Sequence, residues 1–309
     1  MKSATMRAAL AAFCLAIIAA APAAVGATGQ RISFPSFDIN PQTGVLIELT
    51  GLFFTPDPSA GGFPAVVVLH GCDGMYSSLA GRRDQLSVRH QAMADLLVAE
   101  GYAVLFPDSF NPRGRREVCT QRAREQSITQ ANRRLDVLGA LDYLRTRSDI
   151  ATKRIALLGW SHGGSAVLAA MNARHPVVAA YLTQLDDPAE FFLTAIAFYP
   201  GCYASLHGRE GYAPAAPVSV FIGEADDWTS PWPCVALGQA MQAKQLPLHV
   251  RTYPDTYHGF DAPSFFRPRH LDVPNGVHPG KGVTIASNLA AREDAYARVR
   301  AQLRAVLMP

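Results

Sequence analysis

A serine between glycines, in the run GWSHG at residues 159–163, is the feature of this sequence with the clearest chemical use. An apolar run of strand length precedes it at 154–158, and good helix formers follow it at 165–171. Glycines two residues to either side let the chain turn sharply from strand to helix and expose the serine hydroxyl. This pattern predicts a nucleophile elbow, with Ser161 as the nucleophile.

A serine hydroxyl is a weak nucleophile at neutral pH, so it needs a base to accept its proton and a carboxylate to orient that base. Asp226 follows a predicted strand at 218–222, and His258 follows a predicted strand at 248–253. Serine, aspartate and histidine in this chain order, each after the carboxyl end of a strand, converge at one edge of a parallel sheet. We predict Ser161 as nucleophile, His258 as base and Asp226 as orienting acid.

Each member of this set has a rival. Asp227 is the alternative acid, but the acid commonly falls three residues after a strand-ending glycine, which from Gly223 selects Asp226. A histidine on a loop is more often a solvated surface group than a catalytic one. His258 is favoured because it comes first after the final predicted strand, whereas His249 lies inside that strand.

Acyl transfer also needs backbone N–H donors for the negatively charged oxygen of the intermediate. The loop at 71–74 follows a continuous apolar run, and we expect the N–H of Cys72 to be one donor; a simple turn is the alternative. The second donor is expected from the backbone of His162, rather than proton transfer from its ring. Trp160 is expected either to line the substrate pocket or to pack beside it.

A basic loop at 108–119 leaves the same predicted edge of the sheet. It contains Arg113, Arg115 and Arg116. A guanidinium at this edge would pair with a substrate carboxylate, so Arg113 is a candidate substrate-binding residue. The alternative is a solvated basic loop, held by acidic neighbours such as Glu117.

Strand-like and helix-like segments alternate along most of the chain. Continuous apolar runs predict strands buried on both faces, and 3.6-residue periodicity predicts the helices between them. The predicted buried strands are residues 64–70, 102–107, 154–158, 194–199 and 218–222, the last strand is predicted at 248–253, and the predicted helices include 85–100, 128–147 and 288–307. Two earlier runs, 31–37 and 44–55, are expected to be antiparallel edge strands, and residues 262–282 a long loop. We predict an α/β fold with a mostly parallel central sheet and helices on both faces.

Residues 1–27 have the pattern of a secretory signal peptide, with Lys2 and Arg7 before an apolar core and a small-residue cleavage site. A membrane anchor is disfavoured because the core is shorter than the roughly 20 residues that a spanning helix needs. We expect an exported protein, periplasmic or secreted, with one domain at 28–309. Without Lys2 and Arg7 the 28 basic residues become 26 against 25 acidic ones, so a nucleic-acid partner is not expected.

Four cysteines follow the predicted signal peptide: Cys72, Cys119, Cys202 and Cys234. An even number in an exported protein favours disulfides over buried free thiols. Cys72 and Cys119 lie on loops after successive strands, as do Cys202 and Cys234, so these pairs are favoured, although the sequence does not decide among the three possible pairings. No two of the four have the close spacing of a metal-ligand pair, so no metal site is expected.

Four motifs together resemble the dienelactone hydrolase family of α/β hydrolases over about residues 63–307. They are HGCDG at 70–74, GWSHGG at 159–164, GEAD at 223–226 and YHGFD at 257–261. The resemblance implies a cofactor-free esterase or lactonase that works through an acyl-enzyme. The family's namesakes have a cysteine where Ser161 stands here, and their glutamate that restrains it is replaced by Gly71 or a neighbour. Dienelactone itself is therefore not the expected substrate.

A small-molecule ester or lactone is the expected partner. One alternative is a secreted polyester or lipid esterase of the cutinase kind, which would keep an open apolar groove. Another is a non-catalytic binding protein on the same scaffold, which the intact Ser161, His258 and Asp226 set disfavours. The sequence does not indicate an oligomeric state.

Overall fold

The computed structural model describes residues 27–56, 62–263 and 267–308. The predicted signal peptide therefore lies outside the described residues except for its last one. Within the described ranges, none of the helices is long and apolar enough to cross a membrane.

One eight-stranded sheet forms the centre of the structure, in the order β1-β2-β4-β3-β5-β6-β7-β8. The six strands β3 to β8 run parallel, while β2 pairs antiparallel with both β1 and β4. Their bounds are β1 Gln30–Ile39, β2 Leu46–Phe54, β3 Phe63–Leu69, β4 Ala103–Asp108, β5 Ile150–Trp160, β6 Thr194–Phe198, β7 Val218–Gly223 and β8 Leu248–Tyr253. All six predicted parallel strands are confirmed, and so are the two antiparallel ones, although only β1 lies at the edge.

Seven α-helices connect and cover these strands in the described residues. They are α1 Val88–Ala99, α2 Gln130–Arg145, α3 His162–Ala170, α4 Pro176–Leu182, α5 Tyr203–His207, α6 Pro231–Ala243 and α7 Leu289–Leu307. Helix α2 packs against α3, and α7 is joined to the end of α1 through Glu100, which pairs with Arg300 and Arg304. With helices on both faces, the fold is that of an α/β hydrolase, as predicted.

Local sequence explains where the longer helices begin. The side chain of Thr129 accepts from the backbone N–H of Ala131, and Asn132 reaches back to the N–H of Thr129, so α2 starts in a capping box. Asn288 caps α7 by accepting from the N–H of Ala291. These caps fix the starts two residues and one residue later than periodicity alone predicted.

The predicted loop at 262–282 contains the first strand of a hairpin that the sequence did not reveal. Strands β9 Arg269–Leu271 and β10 Val283–Ile285 pair antiparallel in a separate sheet. Each has three residues within a proline- and glycine-rich segment, too short for an alternating pattern.

Both predicted disulfides are present in the structure. Cys72 is bonded to Cys119, and Cys202 is bonded to Cys234. The first joins the loops after β3 and β4, and the second joins the segment after β6 to helix α6. Each disulfide thus links two connections that leave the carboxyl edge of the sheet.

Candidate active site

The turn at Ser161 has the backbone geometry of a nucleophile elbow. Ser161 has φ 52° and ψ −117°, in the left-handed half of the map that side chains rarely adopt. A Cβ at Gly159 would lie 2.6 Å from the carbonyl oxygen of Gly163, and one at Gly163 would lie 2.4 Å from that of His70. Glycine is required at both positions because a side chain would collide with backbone atoms that cannot move aside.

Ser161, His258 and Asp226 lie in one line of hydrogen bonds. Nε2 of His258 is 3.0 Å from Oγ of Ser161, and Nδ1 is 2.8 Å from Oδ2 of Asp226. His258 and Asp226 are both buried, so water does not compete for the bond between them. Asp226 and His258 lie 65 and 97 positions after Ser161 in the chain. Three loops at the carboxyl edge of the sheet bring the three side chains into this line of hydrogen bonds.

In the loop after β7, the carboxylates of Asp226 and Asp227 bind different parts of the protein. Oδ1 of Asp226 accepts from the backbone N–H groups of Trp228 and Thr229, at 3.0 and 2.8 Å. Asp227 instead holds the β9–β10 segment, since its Oδ1 accepts from the N–H of Thr284 at 2.7 Å. The rival acid is therefore already bound elsewhere, whereas Asp226 contacts His258.

The backbone segments expected to supply N–H donors lie beside Ser161. His162 is the first residue of α3, where a backbone N–H has no acceptor within the helix. The N–H of Gly74 donates to the carbonyl of Gly71 at 3.3 Å, closing a turn whose second residue is Cys72. A Cβ at Gly71 would lie 3.7 Å from Cβ of Ser161, so this turn abuts the nucleophile. The use of the two N–H groups stays a prediction.

The ring of His162 points into the protein rather than into a reaction site. Its Nδ1 lies 3.0 Å from NH1 of Arg133, which donates to it. Burial, with the neighbouring Arg133 charge acting in the same direction, lowers the pKa of His162 to about 3. The ring therefore remains neutral and does not take part in proton transfer near neutral pH.

Trp160 does not line a substrate pocket. Its side chain is fully buried, stacks on Phe198 with ring centroids 5.9 Å apart, and donates its indole N–H to Asp261 at 2.8 Å. Trp160 is the last residue of β5, and Ser161 begins the turn that follows. Since neighbouring side chains of a strand point in opposite directions, the Trp160 side chain enters the core on one face of the sheet. Of the two alternatives for Trp160, packing beside the site is the one observed.

The guanidinium of Arg113, expected to be open to a substrate carboxylate or to solvent, is instead bonded within the protein. It donates to Asp136 at 2.7 and 3.0 Å, to Asp38 at 2.7 Å and to the carbonyl of Ser109 at 2.7 Å. The alternative partner, Glu117, instead accepts from Thr120. Arg113 is bound to acids of β1 and α2 that lie 75 and 23 positions away, a pairing that no local pattern indicates.

Four residues around His258 were not identified as site residues from the sequence. The ring centroid of Tyr199 lies 4.4 Å from that of His258, and that of Trp228 lies 4.9 Å away. The hydroxyl of Thr229 lies 3.2 Å from Nδ1 of His258 and 3.0 Å from Oδ2 of Asp226. Only their positions in the sequence could have indicated these three residues. Tyr199 directly follows β6, and Trp228 and Thr229 follow Asp226 in the same loop.

Asp261 is the fourth of these residues, and its side chain is completely buried. It stands in the YHGFD motif, three positions after His258. Its Oδ1 accepts from the hydroxyl of Tyr199 at 2.6 Å. Burial raises the pKa of Tyr199 well above its ordinary value, so the phenol keeps its proton and donates it to this carboxylate.

Possible metal-ligating side chains are not clustered in the part of the chain that the structure describes. No group of three or more histidine, cysteine, aspartate or glutamate side chains there is arranged to hold an ion. A serine, a histidine and a carboxylate in the geometry found at Ser161 can act as nucleophile, base and orienting acid.

The fold and this site place the protein among the α/β hydrolases, and comparison with known proteins specifies the family. The model of the dienelactone hydrolase family matches residues 49–307. The chain belongs to the dienelactone hydrolase family.

One named relative matches this chain over part of its length. YtaP of Bacillus subtilis (strain 168), which its name describes as a hydrolase, is 30% identical over 159 residues, or 46% of this chain and 52% of that protein. The match thus spans about half the length of this relative.

Solved structures share the fold at low sequence identity. One from Klebsiella pneumoniae, described as a dienelactone hydrolase, has a TM-score of 0.60 at 16% identity, over 89% of this chain and 98% of that one. A dienelactone hydrolase-like promiscuous phosphotriesterase from metagenomic libraries has a TM-score of 0.60 at 17% identity, over 90% and 99%. Esterase 2 of Thermogutta terrifontis, phosphorylated by paraoxon, has a TM-score of 0.57 at 14% identity, over 91% and 96%.

Proposed function

We propose that this protein is a serine hydrolase that cleaves carboxylic ester or lactone bonds through an acyl-enzyme on Ser161. The observation that carries the proposal is the unbroken line of hydrogen bonds from Asp226 through His258 to Ser161, at 2.8 and 3.0 Å. Acyl transfer by a serine hydroxyl needs a nucleophile, a base and an orienting acid in such a line, which supports the proposal.

In the first half of the reaction, Nε2 of His258 accepts the proton of Ser161 as Oγ attacks the acyl carbon. The Nδ1–H of His258 donates to Asp226, which fixes the tautomer with a free lone pair on Nε2 and stabilises the imidazolium that forms. The negative oxygen of the intermediate would accept from the N–H groups of Cys72 and His162.

His258 then gives this proton to the departing alkoxide as the ester bond breaks, which leaves the acyl group on Ser161 and ends the first half. In the second half, a water molecule loses a proton to His258 and attacks the acyl-enzyme. The bond from the acyl carbon to Oγ of Ser161 breaks, Oγ takes the proton from His258, and the acid leaves. No cofactor enters either half, because the proton and the acyl group move only between substrate, water and these side chains.

A neutral ester is the favoured substrate. The guanidinium of Arg113, the proposed partner for a substrate carboxylate, is occupied by Asp38 and Asp136. The family's namesakes also carry a cysteine nucleophile, so we expect their substrate to be a poor one here.

Export is the second part of the proposal. Its support is the signal-peptide pattern of residues 1–27 together with two disulfides, which persist in oxidising compartments. Expression with and without residues 1–27, followed by cell fractionation, tests it: the full chain should be found shortened by about 27 residues outside the cytoplasm. Retention of the unshortened chain in the cytoplasm would contradict export.

A substrate panel tests the reaction. The purified protein is assayed on nitrophenyl esters of graded acyl length, on a set of lactones, and on ester pairs that differ only by a free carboxylate or its methyl ester. Wild-type turnover of neutral esters that disappears in Ser161→Ala, with far-UV circular dichroism unchanged, is the expected result. Turnover by Ser161→Ala within about tenfold of wild type would refute the assignment of the nucleophile.

A further inference from the structure

A buried carboxylate connects the two halves of the proposed active site without touching the reacting atoms. Asp261 accepts from Nε1 of Trp160 at 2.8 Å, from the hydroxyl of Tyr199 at 2.6 Å and from the hydroxyl of Tyr296 at 3.2 Å. The carboxylate is fully buried, and three donors satisfy most of its acceptor sites. Such a group is costly to bury unless its bonds are kept, so its position is tightly fixed.

Two of the donors belong to residues that position the reacting groups. Trp160 directly precedes Ser161 in the chain, and its indole can donate to Asp261 only if the end of β5 and the loop after β8 keep their separation. Asp261 lies three residues after His258 on that loop. One carboxylate therefore ties the strand that carries the nucleophile to the loop that carries the base.

Tyr199 adds a contact to the base itself. Its ring packs against His258, and its carbonyl oxygen accepts from the hydroxyl of Thr229 at 3.1 Å. Tyr199 has φ 37°, a left-handed conformation that is costly for a bulky residue and persists only where surrounding bonds enforce it. The bond to Asp261 is one of those that hold it.

Arg89 completes the cluster from helix α1. Its NH1 donates to the hydroxyl oxygen of Tyr199 at 2.6 Å, so that oxygen is held by a donor on one side and the carboxylate on the other. The positive charge of Arg89 lies near the negative charge of Asp261, which offsets part of the cost of burying either.

We propose that Asp261 is a positioning residue, which sets the approach of His258 Nε2 to Ser161 Oγ by bonding Trp160 and Tyr199 at the same time. The inference rests on the proposed esterase function. Proton transfer across the 3.0 Å between these atoms is sensitive to placement, since an error of about 1 Å costs on the order of 100-fold in rate. Asp261 acts on kcat rather than on substrate affinity, because it does not touch the substrate.

The test is Asp261→Asn, which keeps the shape of the side chain and replaces one acceptor oxygen with an NH2 group. That NH2 faces a hydroxyl or indole donor, so at least one bond of the cluster breaks. With esterase rates normalised by active-site titration, kcat should fall about 10- to 100-fold while KM changes by less than about threefold. Trp160→Phe and Tyr199→Phe each remove one donor and should lower kcat by smaller factors.

Asp142→Asn is the matched control. Asp142 accepts a hydrogen bond from the hydroxyl of Tyr181, a tyrosine–carboxylate pair that joins α2 to α4 away from Ser161. It should change thermal stability without changing kcat per active site.

The outcomes separate the two proposals. A wild type that turns over no ester refutes the proposed function, and this inference with it. If the wild type is active, the decisive result is a lower melting temperature of Asp261→Asn with kcat per titrated site within twofold of wild type. That result shows a merely structural role for Asp261, and it overturns this inference but not the proposed function. If Asp261→Asn does not fold, an unchanged kcat in both Trp160→Phe and Tyr199→Phe overturns it instead.

Discussion

The guanidinium of Arg113 is held by hydrogen bonds to several other parts of the protein. Its partner Asp136 is fully buried and accepts from the two terminal nitrogens of the guanidinium and from the hydroxyl of Ser36 at 2.7 Å. The cluster joins β1, α2 and the loop after β4. Arg113 therefore supports the loop that carries it instead of meeting a ligand.

Replacement of Arg113 by Met should destabilise the fold without changing substrate preference. The loss leaves the Asp136 carboxylate buried with its charge uncompensated by a direct partner, which costs about 3–5 kcal/mol of the free energy of unfolding. Urea denaturation measures this, with Arg115→Met as control, because Arg115 is exposed and its loss should cost less than about 0.5 kcal/mol. A KM that rises for an acid-bearing ester but not for its methyl ester would restore the substrate-binding role.

The sequence predicted residues whose roles follow from chain order, and missed those whose roles follow from contacts across the fold. Ser161, Asp226 and His258 each follow a recognisable strand, so topology alone places them together. Tyr199 lies against His258 through a left-handed backbone conformation that no residue type announces. The acids that hold Arg113 come from β1 and α2, and only the folded structure brings them to it.

At the scale of elements, the proposed site is built on loops that are joined in pairs. The Cys72–Cys119 disulfide and a bond from the N–H of Val118 to the carbonyl of Cys72, at 2.8 Å, tie the turn beside Ser161 to the loop after β4. The second disulfide, Cys202–Cys234, joins α6 to the segment after β6. Only the first contains a residue whose backbone N–H is proposed to bind the oxyanion.

The two disulfides should therefore affect activity differently. Removing either one, by Cys72→Ala with Cys119→Ala or by Cys202→Ala with Cys234→Ala, should lower stability by about 2–4 kcal/mol. Only the first pair should also lower kcat, by about tenfold or more, because a donor that is no longer held in place stabilises the intermediate less. Kinetics well below the melting temperature of each variant measure this; equal kcat values in the two double variants would argue against the use of the Cys72 backbone.

The elements themselves were predicted well where burial gives a strong pattern and poorly where it does not. Most of the parallel strands contain a continuous apolar run, and the helices between them show clear periodicity, so their type and order could be read directly. Strands β9 and β10 pair with each other, and Asp227 accepts from the N–H of Thr284 in β10. Their three-residue sequences are too short to show a strand pattern.

For the whole molecule, buried neutral histidines link stability to pH. Burial lowers the pKa of His70 well below its ordinary value, and that of His90 to about 4, with the nearby charges of Arg133 and Arg89 acting in the same direction. His162 behaves alike. The bonds from Nδ1 of His70 to the carbonyl of Gly71 and from Nδ1 of His90 to the carbonyl of Met75 raise the pKa, but burial outweighs them. Nε2 of His70 accepts from the N–H of Ser109 at 3.4 Å, which only the neutral ring can do.

Stability should fall as the pH is lowered from about 7 to 5. In the unfolded chain these histidines regain a pKa near 6.5 and bind protons that the folded protein does not, so each contributes up to about 1.4 kcal/mol per pH unit to the loss below that value. Urea midpoints at pH 7, 6 and 5 measure the slope. His90→Gln should reduce it by about one proton, whereas the exposed His249→Gln should not. An unchanged slope in His90→Gln would contradict the assignment of a depressed pKa.

The central claim is that Ser161 is a nucleophile activated by His258. A fluorophosphonate probe, which reacts covalently with activated serines, tests it directly when the product is analysed by intact and peptide mass spectrometry. We expect one label per chain, on the peptide that contains Ser161, with none on Ser161→Ala and much slower labelling of His258→Ala. Label on another residue, or wild-type protein that stays unlabelled while correctly folded, would contradict the account.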